Sequence, residues 1–294
     1  MTVFYLVEEQ PISLYWARDA ALNWLYAHHL QVPFQLGGPE WALEQLGWLG
    51  LDWLPIESQA GQALVDEARL DTLAELFRAR GIQVELKPLP RFHSESSQLS
   101  CYQAQGLVAE ALLTCLVESS WSSPRGGQDL TRTELLLYFS LDGLKSAAAG
   151  IEAERLEAAH RFFLEELTPK ELLARTLGSR LPWLSEREQM ELEGLALLYG
   201  EEVEDLNEFR QRLDFFFEPP AAPAVPVAGA GFAGLEKWNT ATLRDQLDGL
   251  DPAAREAVAL ATVGRDEPFL AEALALLGRD KTLARLEKGS SLAG

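Results

Sequence analysis

Five basic residues near the end of the chain form the densest cationic group in the sequence. They are Arg265, Arg279, Lys281, Arg285 and Lys288, and the last four lie at near-helical spacing. Cations at this spacing could bind the phosphate backbone of a nucleic acid, and such binding weakens steeply as salt is raised. They could equally be the basic residues that a helix favours at its C-terminus, where the macrodipole is negative. The sequence leaves both interpretations open.

The sequence lacks the common motifs of catalytic and nucleotide-binding sites. The sequence contains no Walker loop and no GxGxxG, GxSxG, HExxH or paired CxxC motif. None of the four histidines has a partner at metal-ligand spacing; they are His28, His29, His93 and His160. The serines of Ser94–Ser100 lack a base at motif spacing and are predicted to form a loop. We therefore expect no catalytic group, no metal site and no cofactor.

The elements that would position functional residues change in type along the chain. Strands are predicted over Val3–Val7, Val32–Leu36 and Ile82–Leu86, and helices over Ala17–Leu30, Pro39–Leu49 and Gly61–Arg80. This alternation predicts a small parallel α/β unit. After Gly106 apolar residues recur at helical spacing, and leucine and glutamate dominate as in a helical bundle. The predicted fold class is α/β at the N-terminus followed by all-α domains, with helix predominating.

Composition divides the chain into four parts. Residues 1–125 form the α/β domain and residues 126–218 a helical domain. Residues 219–234 are rich in proline, alanine and glycine, which predicts an extended, semi-rigid linker. Residues 235–294 are predicted to fold as a short helical domain.

The charge of the chain is strongly one-sided. It holds 45 acidic and 25 basic residues, a net charge of −20. The first two domains carry net charges of −8 and −10, whereas residues 219–294 carry only −2. Such a surface disfavours DNA and tRNA and suits a basic protein partner. A solvated acidic surface without a partner is the alternative interpretation.

Cysteine usage and hydropathy predict the compartment. The two cysteines, Cys101 and Cys115, are too few for a disulfide framework and are predicted to be buried, inert thiols in a reducing environment. We see no basic, apolar leader typical of a signal peptide. No uncharged apolar run approaches the roughly 20 residues that a membrane span needs. These features predict a cytoplasmic protein that does not bind membranes.

Six colinear segments resemble the glutamyl-tRNA synthetase family. They are ARDAALNWLYAHH (Ala17–His29), LGWLGLDW (Leu46–Trp53), DEARLDTLAELFRARG (Asp66–Gly81), GLVAEALLTCLVESSWSSP (Gly106–Pro124), RLDFFFEPP (Arg212–Pro220) and VALATVGRDEPFLAEALALLGRDKTLARLEKG (Val258–Gly289). Singly each match is weak, but together they run nearly end to end. The resemblance implies a class I Rossmann-like domain over 1–125, a connecting domain over 126–218 and a shortened anticodon-binding domain over 235–294.

The resemblance fails where the family binds ATP. Its first signature, S-P-T-G-x-x-H-x-G-G, falls on Val7–Trp16 when counted back from Ala17. Ser13 replaces the histidine, and Tyr15 and Trp16 replace the two glycines that let a nucleotide approach the helix. Glu8 and Glu9 add negative charge where phosphates would lie. We expect Tyr15 and Trp16 to fill the vacated nucleotide pocket.

This chain also departs from the family pattern at the second signature and at two further places. K-L-S-K-R corresponds to Gln98–Tyr102, so Gln98 and Cys101 replace the two lysines that would stabilise phosphate charge. The acidic loop expected after Leu36 is missing, and with it the arginine expected for the substrate carboxylate. Only a short loop joins Leu86 to Gln98, where the family inserts a domain that grips the tRNA acceptor end.

These departures predict a synthetase-like pseudoenzyme without aminoacylation. Its expected role is that of a binding or regulatory protein in tRNA or translation metabolism, with a protein partner such as a genuine synthetase or an amidotransferase. One alternative is a tRNA-binding module that uses the C-terminal cations. Another is an enzyme of altered specificity that activates an amino acid.

Overall fold

The computed structural model describes residues 1–8, 11–93, 98–147, 150–220 and 230–291. The chain forms two compact units, Met1–Glu166 and Leu167–Gly294. Their boundary lies inside the predicted connecting domain, so the domain limits drawn from composition remain predictions. Glu9, Ser94–Ser97 and the linker residues 221–229 lie outside the described residues.

A parallel sheet covered by helices forms unit 1. Its elements are β1 (Val3–Leu6), α1 (Leu14–Leu30), β2 (Phe34–Gly37), α2 (Glu40–Trp48), β3 (Ala60–Asp66), α3 (Leu70–Ala79), β4 (Gln83–Leu89), α4 (Leu99–Ala104), α5 (Ala109–Glu118), α6 (Arg132–Tyr138) and α7 (Ala153–Glu165). The strand order is β2-β1-β3-β4. Successive strands are therefore added on one side of β1 and then on the other, and open α/β sheets bind their ligands at the carboxyl ends of the strands where this change occurs.

The predicted helix over Gly61–Arg80 is wrong in its first part, which is strand β3. Ala63–Val65 is a short apolar run, and periodicity alone does not separate a buried strand from a buried helix in such a run. Pairing decides the outcome: β3 runs parallel to β4 over seven positions, from Ala60 opposite Gln83 to Asp66 opposite Leu89. Gly61 also lets β3 approach β1 closely, since an added Cβ would lie 2.3 Å from the carbonyl oxygen of Thr2.

Helix α1 supplies hydrogen bonds that β1 does not give to β3. Among the described residues, the β1–β3 register consists of Val3 opposite Gln62. Beyond that point, the Asn23 amide accepts from Leu64 N–H at 2.7 Å and donates to the Leu64 carbonyl at 2.6 Å. The Asp19 carboxylate accepts from Asp66 N–H at 3.0 Å. The polar side chains of α1 therefore pair with backbone N–H and C=O groups of β3 that β1 does not reach, as buried backbone requires.

The core of unit 1 contains two fully buried tryptophans. Trp24 and Trp121 are buried, whereas Trp48 and Trp53 are half-buried. The isolated bridge between Trp121 and Leu144 holds the chain after α5 against the segment after α6. Helix α5 packs on α7 and on α1, so it links the helices that follow β4 to the helix that follows β1.

Helices make up unit 2, as predicted. They are α8 (Pro169–Leu177), α9 (Glu186–Tyr199), α10 (Leu206–Phe217), α11 (Ala230–Ala233), α12 (Thr240–Asp248), α13 (Pro252–Thr262), α14 (Leu270–Leu277) and α15 (Arg279–Ser291). Capping boxes begin α8 at Thr168 and α9 at Ser185. Within the described ranges, no helix of either unit is long and apolar enough to cross a membrane.

Candidate functional site

The two segments that correspond to the family signatures meet at the start of α1. Ser13 and Gln98 form an antiparallel bridge, and Leu99 N–H donates to the Ile12 carbonyl at 2.8 Å. Ser13 occupies the N-cap of α1, and Gln98 occupies the N-cap of α4. The structure therefore brings together two positions that lie far apart in sequence and that the resemblance assigns to one site.

The aromatic residues of the first signature pack inward. Trp16 is buried, and its ring lies edge-on to Tyr5 with the centroids 5.8 Å apart. The guanidinium of Arg69 lies over the Trp16 ring, 3.6 Å from its centroid. Tyr15 is half-buried and meets Phe92 edge-on at 5.3 Å. Both side chains are held by protein contacts, and their role as fillers of a nucleotide pocket remains a prediction.

Buried charges lie at the carboxyl ends of β1 and β3. The guanidinium of Arg18 donates to Asp19 at 2.7 Å and to Asp66 at 2.8 Å, and all three side chains are inaccessible to solvent or nearly so. Arg69 lies 3.6 Å from the second oxygen of Asp19. Two cations thus balance two carboxylates, which burial requires. We call these four residues the buried charge network.

The surroundings complete this network. Arg18 also donates to the Pro90 carbonyl at 2.9 Å and to the Ser120 hydroxyl at 3.2 Å. Asp66 accepts from Phe92 N–H at 2.9 Å. Burial, followed by the charge of Asp19, raises the pKa of the Tyr5 phenol well above its usual range, so that the phenol stays protonated. The network joins α1, β3 and the segment after β4.

The buried charge network is not among the sites that the sequence pattern predicts. Arg18 and Asp19 were visible as adjacent charges within an otherwise apolar stretch of α1, which is unusual on a buried helix. Asp66 lies 48 residues from Arg18. Only the fold brings it into contact.

A cavity of about 540 Å³ opens beside the Ser13–Gln98 bridge. Its lining includes Leu14 at the start of α1, Tyr102 on α4, and Leu156 and His160 on α7. The Nδ1 atom of His160 accepts a hydrogen bond from Val108 N–H at 3.2 Å, so the neutral ring carries its proton on Nε2. This lining combines apolar side chains with imidazole and phenol groups, the Gln105 amide and the Glu157 carboxylate, which suits a small molecule with a few polar atoms.

Cys101 departs from the sequence expectation. The prediction that both cysteines are buried is wrong for Cys101, which is exposed, and holds for Cys115. Cys101 lies three residues after the N-cap of the short helix α4. In this helix Leu99 is buried, whereas Cys101 is exposed. Among residues with described positions, no three histidine, cysteine or carboxylate groups are arranged to hold a metal ion.

The five predicted RNA-binding cations differ in their surroundings. Arg265 donates to the backbone carbonyls of Gln211 and Arg212 and pairs with Glu267 at 3.1 Å. Arg285 is buried and donates to the Thr262 carbonyl at 2.6 Å, and this burial lowers its pKa.

The remaining three cations lie on exposed parts of α15. Arg279 donates to the Ala233 carbonyl at 2.8 Å. The Lys281 ammonium lies 4.5 Å from the centroid of the Phe216 ring, and Lys288 is exposed. Whether these residues contact tRNA remains a prediction.

Comparison with known proteins identifies relatives by sequence. No protein-family model matches the chain. It is 29% identical over 232 residues to a glutamate–tRNA ligase of Nitratidesulfovibrio vulgaris, covering 70% of this chain and 50% of the relative. It is 26% identical over 233 residues to glutamate–tRNA ligase 1 of Acidithiobacillus ferrooxidans, covering 69% and 49% respectively. The chain spans about half the length of the curated relatives that it matches.

Solved structures share the fold. A glutamate tRNA ligase from Elizabethkingia meningosepticum, in complex with its amino acid, superposes with a TM-score of 0.61 at 12% identity, covering 99% of each chain. A glutamate–tRNA synthetase from Elizabethkingia anophelis gives a TM-score of 0.59 at 12% identity, again with 99% of each chain covered. The predicted fold class and the resemblance are both confirmed.

The prediction that the chain is not an enzyme is contradicted by these comparisons. The relatives are ligases, and nothing in the described residues demonstrates inactivity. The prediction rested on residue types at Ser13, Tyr15, Trp16, Gln98 and Cys101. Residue types at these five positions do not by themselves fix activity, because backbone groups and other side chains can also bind substrates.

Proposed function

Because the chain is a relative of the glutamyl-tRNA synthetase family, we propose that it works in tRNA metabolism by binding a basic protein that handles tRNA. The observation that carries this proposal is the charge distribution. The acidic residues outnumber the basic ones by 20, and the excess occurs in every part of the chain. Complementary charge accelerates association and selects a basic partner over an acidic one. The proposed binding is independent of any ligase reaction.

Three of the five C-terminal cations support this choice of partner over RNA. The guanidinium groups of Arg265, Arg279 and Arg285 donate to backbone carbonyls, so they are engaged within unit 2. Moreover, Asp280 and Glu287 lie among the cations of α15 and reduce its positive charge. A polyanion would gain little from this helix compared with a typical nucleic-acid surface, where several cations face phosphates together.

The test begins with capture of partners from an extract of the source organism by the immobilised full chain. Each captured protein is then identified, purified and titrated calorimetrically. The expected result is a tRNA-handling protein with a basic surface, bound more weakly as salt rises from about 0.05 to 0.3 M. Purified candidates that fail to bind, or that bind without any dependence on salt, would contradict the proposal.

A second candidate function is tRNA binding by α15, favoured by the exposed positions of Arg279, Lys281 and Lys288. Titration with total tRNA tests it directly. The double variant Lys281→Glu/Lys288→Glu should lose this binding, whereas Lys170→Glu/Lys237→Glu, which changes the same charge elsewhere in unit 2, should retain it. Equal binding by both variants would exclude α15 as the tRNA site.

The ligase reaction of the relatives needs its own measurement. Glutamate-dependent exchange of pyrophosphate into ATP reports adenylate formation directly. Exchange above background would show that the chain activates an amino acid in addition to the proposed binding of a partner. In that case, substitutions around the cavity at Tyr102 and His160 would be the first to examine.

A further inference from the structure

Three large apolar side chains of unit 2 are exposed. Trp183, Met190 and Leu197 have exposed fractions of 88%, 67% and 69%. Each lies seven residues from the next. We call these three residues the apolar stripe. Exposed apolar groups that recur in this way are typical of surfaces that bind another protein, and tryptophan is the commonest energetic anchor of such surfaces.

Helix α9 presents the stripe on the face that points away from its own core. Leu192, Leu195, Ala196 and Tyr199 are buried on the opposite side of this helix. Met190 and Leu197 are separated by nearly two turns, about 10.5 Å along the axis. They therefore share one exposed face, at the spacing that a docked helix can match with its own apolar residues.

Trp183 belongs to the turn that precedes α9. The side-chain amide of Gln189 donates to the Leu184 carbonyl at 3.0 Å and to the Leu181 carbonyl at 3.4 Å. These bonds hold the turn against the first residues of α9. The backbone at Trp183 is thereby held beside the first turn of α9, which lowers the backbone conformational entropy lost when a partner binds.

Carboxylates alternate with the apolar residues along the same face. Glu186 precedes Met190 by four residues, and Glu193 lies between Met190 and Leu197, four residues before Leu197. A second copy of the chain would bring these acids together, against the repulsion of a net charge of −20 on each molecule. A helix with apolar residues flanked by lysine or arginine complements both features.

We propose that the apolar stripe is a docking site for a basic amphipathic helix of a partner protein. The apolar face of that helix packs on Trp183, Met190 and Leu197. Its cations lie opposite Glu186 and Glu193. This inference rests on the proposed function for the class of partner, and it adds the surface and the secondary structure that the partner presents.

The probe is a fluorescein-labelled peptide of roughly 20 residues, long enough to form a helix, with leucines along one face and lysines beside them. Fluorescence anisotropy measures its affinity for the full chain. The variant Met190→Gln/Leu197→Gln should bind about ten-fold more weakly. Glutamine has a helix propensity close to that of methionine and leucine, so α9 is expected to stay folded, as circular dichroism would check.

Matched variants separate docking from general attraction to an acidic protein. Glu186→Gln/Glu193→Gln should weaken binding, whereas Glu75→Gln/Glu165→Gln, with the same change in net charge in unit 1, should not. Leu137→Gln removes another exposed apolar residue and should also leave the affinity unchanged. A peptide in which alanine replaces leucine tests whether the apolar face is needed.

Each other outcome overturns the inference. Equal weakening by both acidic pairs would mean that net charge alone attracts the peptide, and no binding to the unmodified chain would exclude the stripe as a site for basic helices. Sedimentation that shows a dimer, lost in Met190→Gln/Leu197→Gln, would assign the stripe to a second copy. In all three cases, a captured basic partner whose affinity is unaffected by stripe variants would leave the proposed function standing.

Discussion

At the scale of single residues, the charges inside unit 1 are its most demanding feature. Arg18, Asp19 and Asp66 have almost no solvent access, yet each keeps at least one partner of opposite charge. The free energy of the folded state therefore depends on all the members of the network together. Loss of one member leaves another charge buried without compensation.

Replacement of Arg18 by methionine should destabilise the chain by about 3–5 kcal/mol, because two buried carboxylates lose their main cation. Urea unfolding measures the change. Arg161→Met, which removes an exposed pair with Glu157 one helical turn away, should leave stability nearly unchanged. A loss below about 1 kcal/mol for Arg18→Met would show that water or another cation compensates the carboxylates.

The two cysteines should differ sharply in reactivity. Burial raises the pKa of the Cys115 thiol to about 12, so at pH 8 it is protonated as well as inaccessible. A disulfide reagent such as DTNB should therefore modify one thiol of the native chain rapidly and the second only after unfolding. Cys101→Ser should abolish the rapid phase. Two rapid equivalents in the native chain would contradict the burial of Cys115.

At the scale of elements, local capping rules explain where several helices begin. Thr131, Thr168 and Ser185 each cap a helix and receive a hydrogen-bonding glutamate three residues later, as a capping box requires. Helix α1 is different. Ser13 makes no side-chain capping bond, and the start of α1 is instead fixed by the Ser13–Gln98 bridge.

Two of these capping boxes should make the stability of unit 2 depend on acid pH. Hydrogen bonds from Thr168 and Ser185, hydroxyl first and then backbone N–H, hold the pKa of Glu171 and Glu188 below the ordinary value of 4.5. The unfolded chain then binds protons more readily, so this stabilisation is present above about pH 4.5 and is lost as pH falls through the lowered values.

The variant Glu171→Ala/Glu188→Ala should be less stable than the parent at pH 7 and equally stable near pH 3. Urea midpoints at the two pH values measure this difference. Glu75→Ala, in the middle of α3, is the control and should show no such convergence. A constant difference between parent and double variant would mean that the carboxylates stabilise the helices by packing alone.

The sequence predicted the elements that local patterning controls and missed those that depend on distant partners. The α1 stretch and the leucine-rich helices of unit 2 follow from apolar periodicity within a few positions. Strand β3 does not, because its pairing with β1 and β4 overrides an ambiguous apolar run. The exposed stripe at Trp183 was also missed, since spacing alone does not tell which face of a helix lacks a partner.

The candidate site was predicted only in part. Colinear motifs placed Ser13 and Gln98 in one site, and the structure brings these residues into contact. The Arg18–Asp66 pair spans 48 residues and required the fold. Residue types at the substituted signature positions did not decide activity, because the relatives that the chain matches are ligases and the structure does not demonstrate inactivity.

At the scale of the whole molecule, the net charge of −20 acts against compactness. Screening by salt should therefore stabilise the fold. We expect the urea midpoint to rise as sodium chloride increases from about 0.02 to 0.3 M, over which the Debye length becomes much shorter than the molecule. An unchanged or lower midpoint would show that the attractive ion pairs outweigh the repulsion between the acids.

The hydrogen bonds from α1 to β3 also bear on the order in which unit 1 folds. Strands β1 and β2 with α1 form one local βαβ module, and β3 and β4 with α3 form another. Asn23 and Asp19 connect the modules across 41 and 47 residues. Such long-range closure is the slow part of assembly. Substitutions at Asn23 should accordingly slow refolding more than they accelerate unfolding. Helix α1 would then be the element on which the two halves of the sheet assemble.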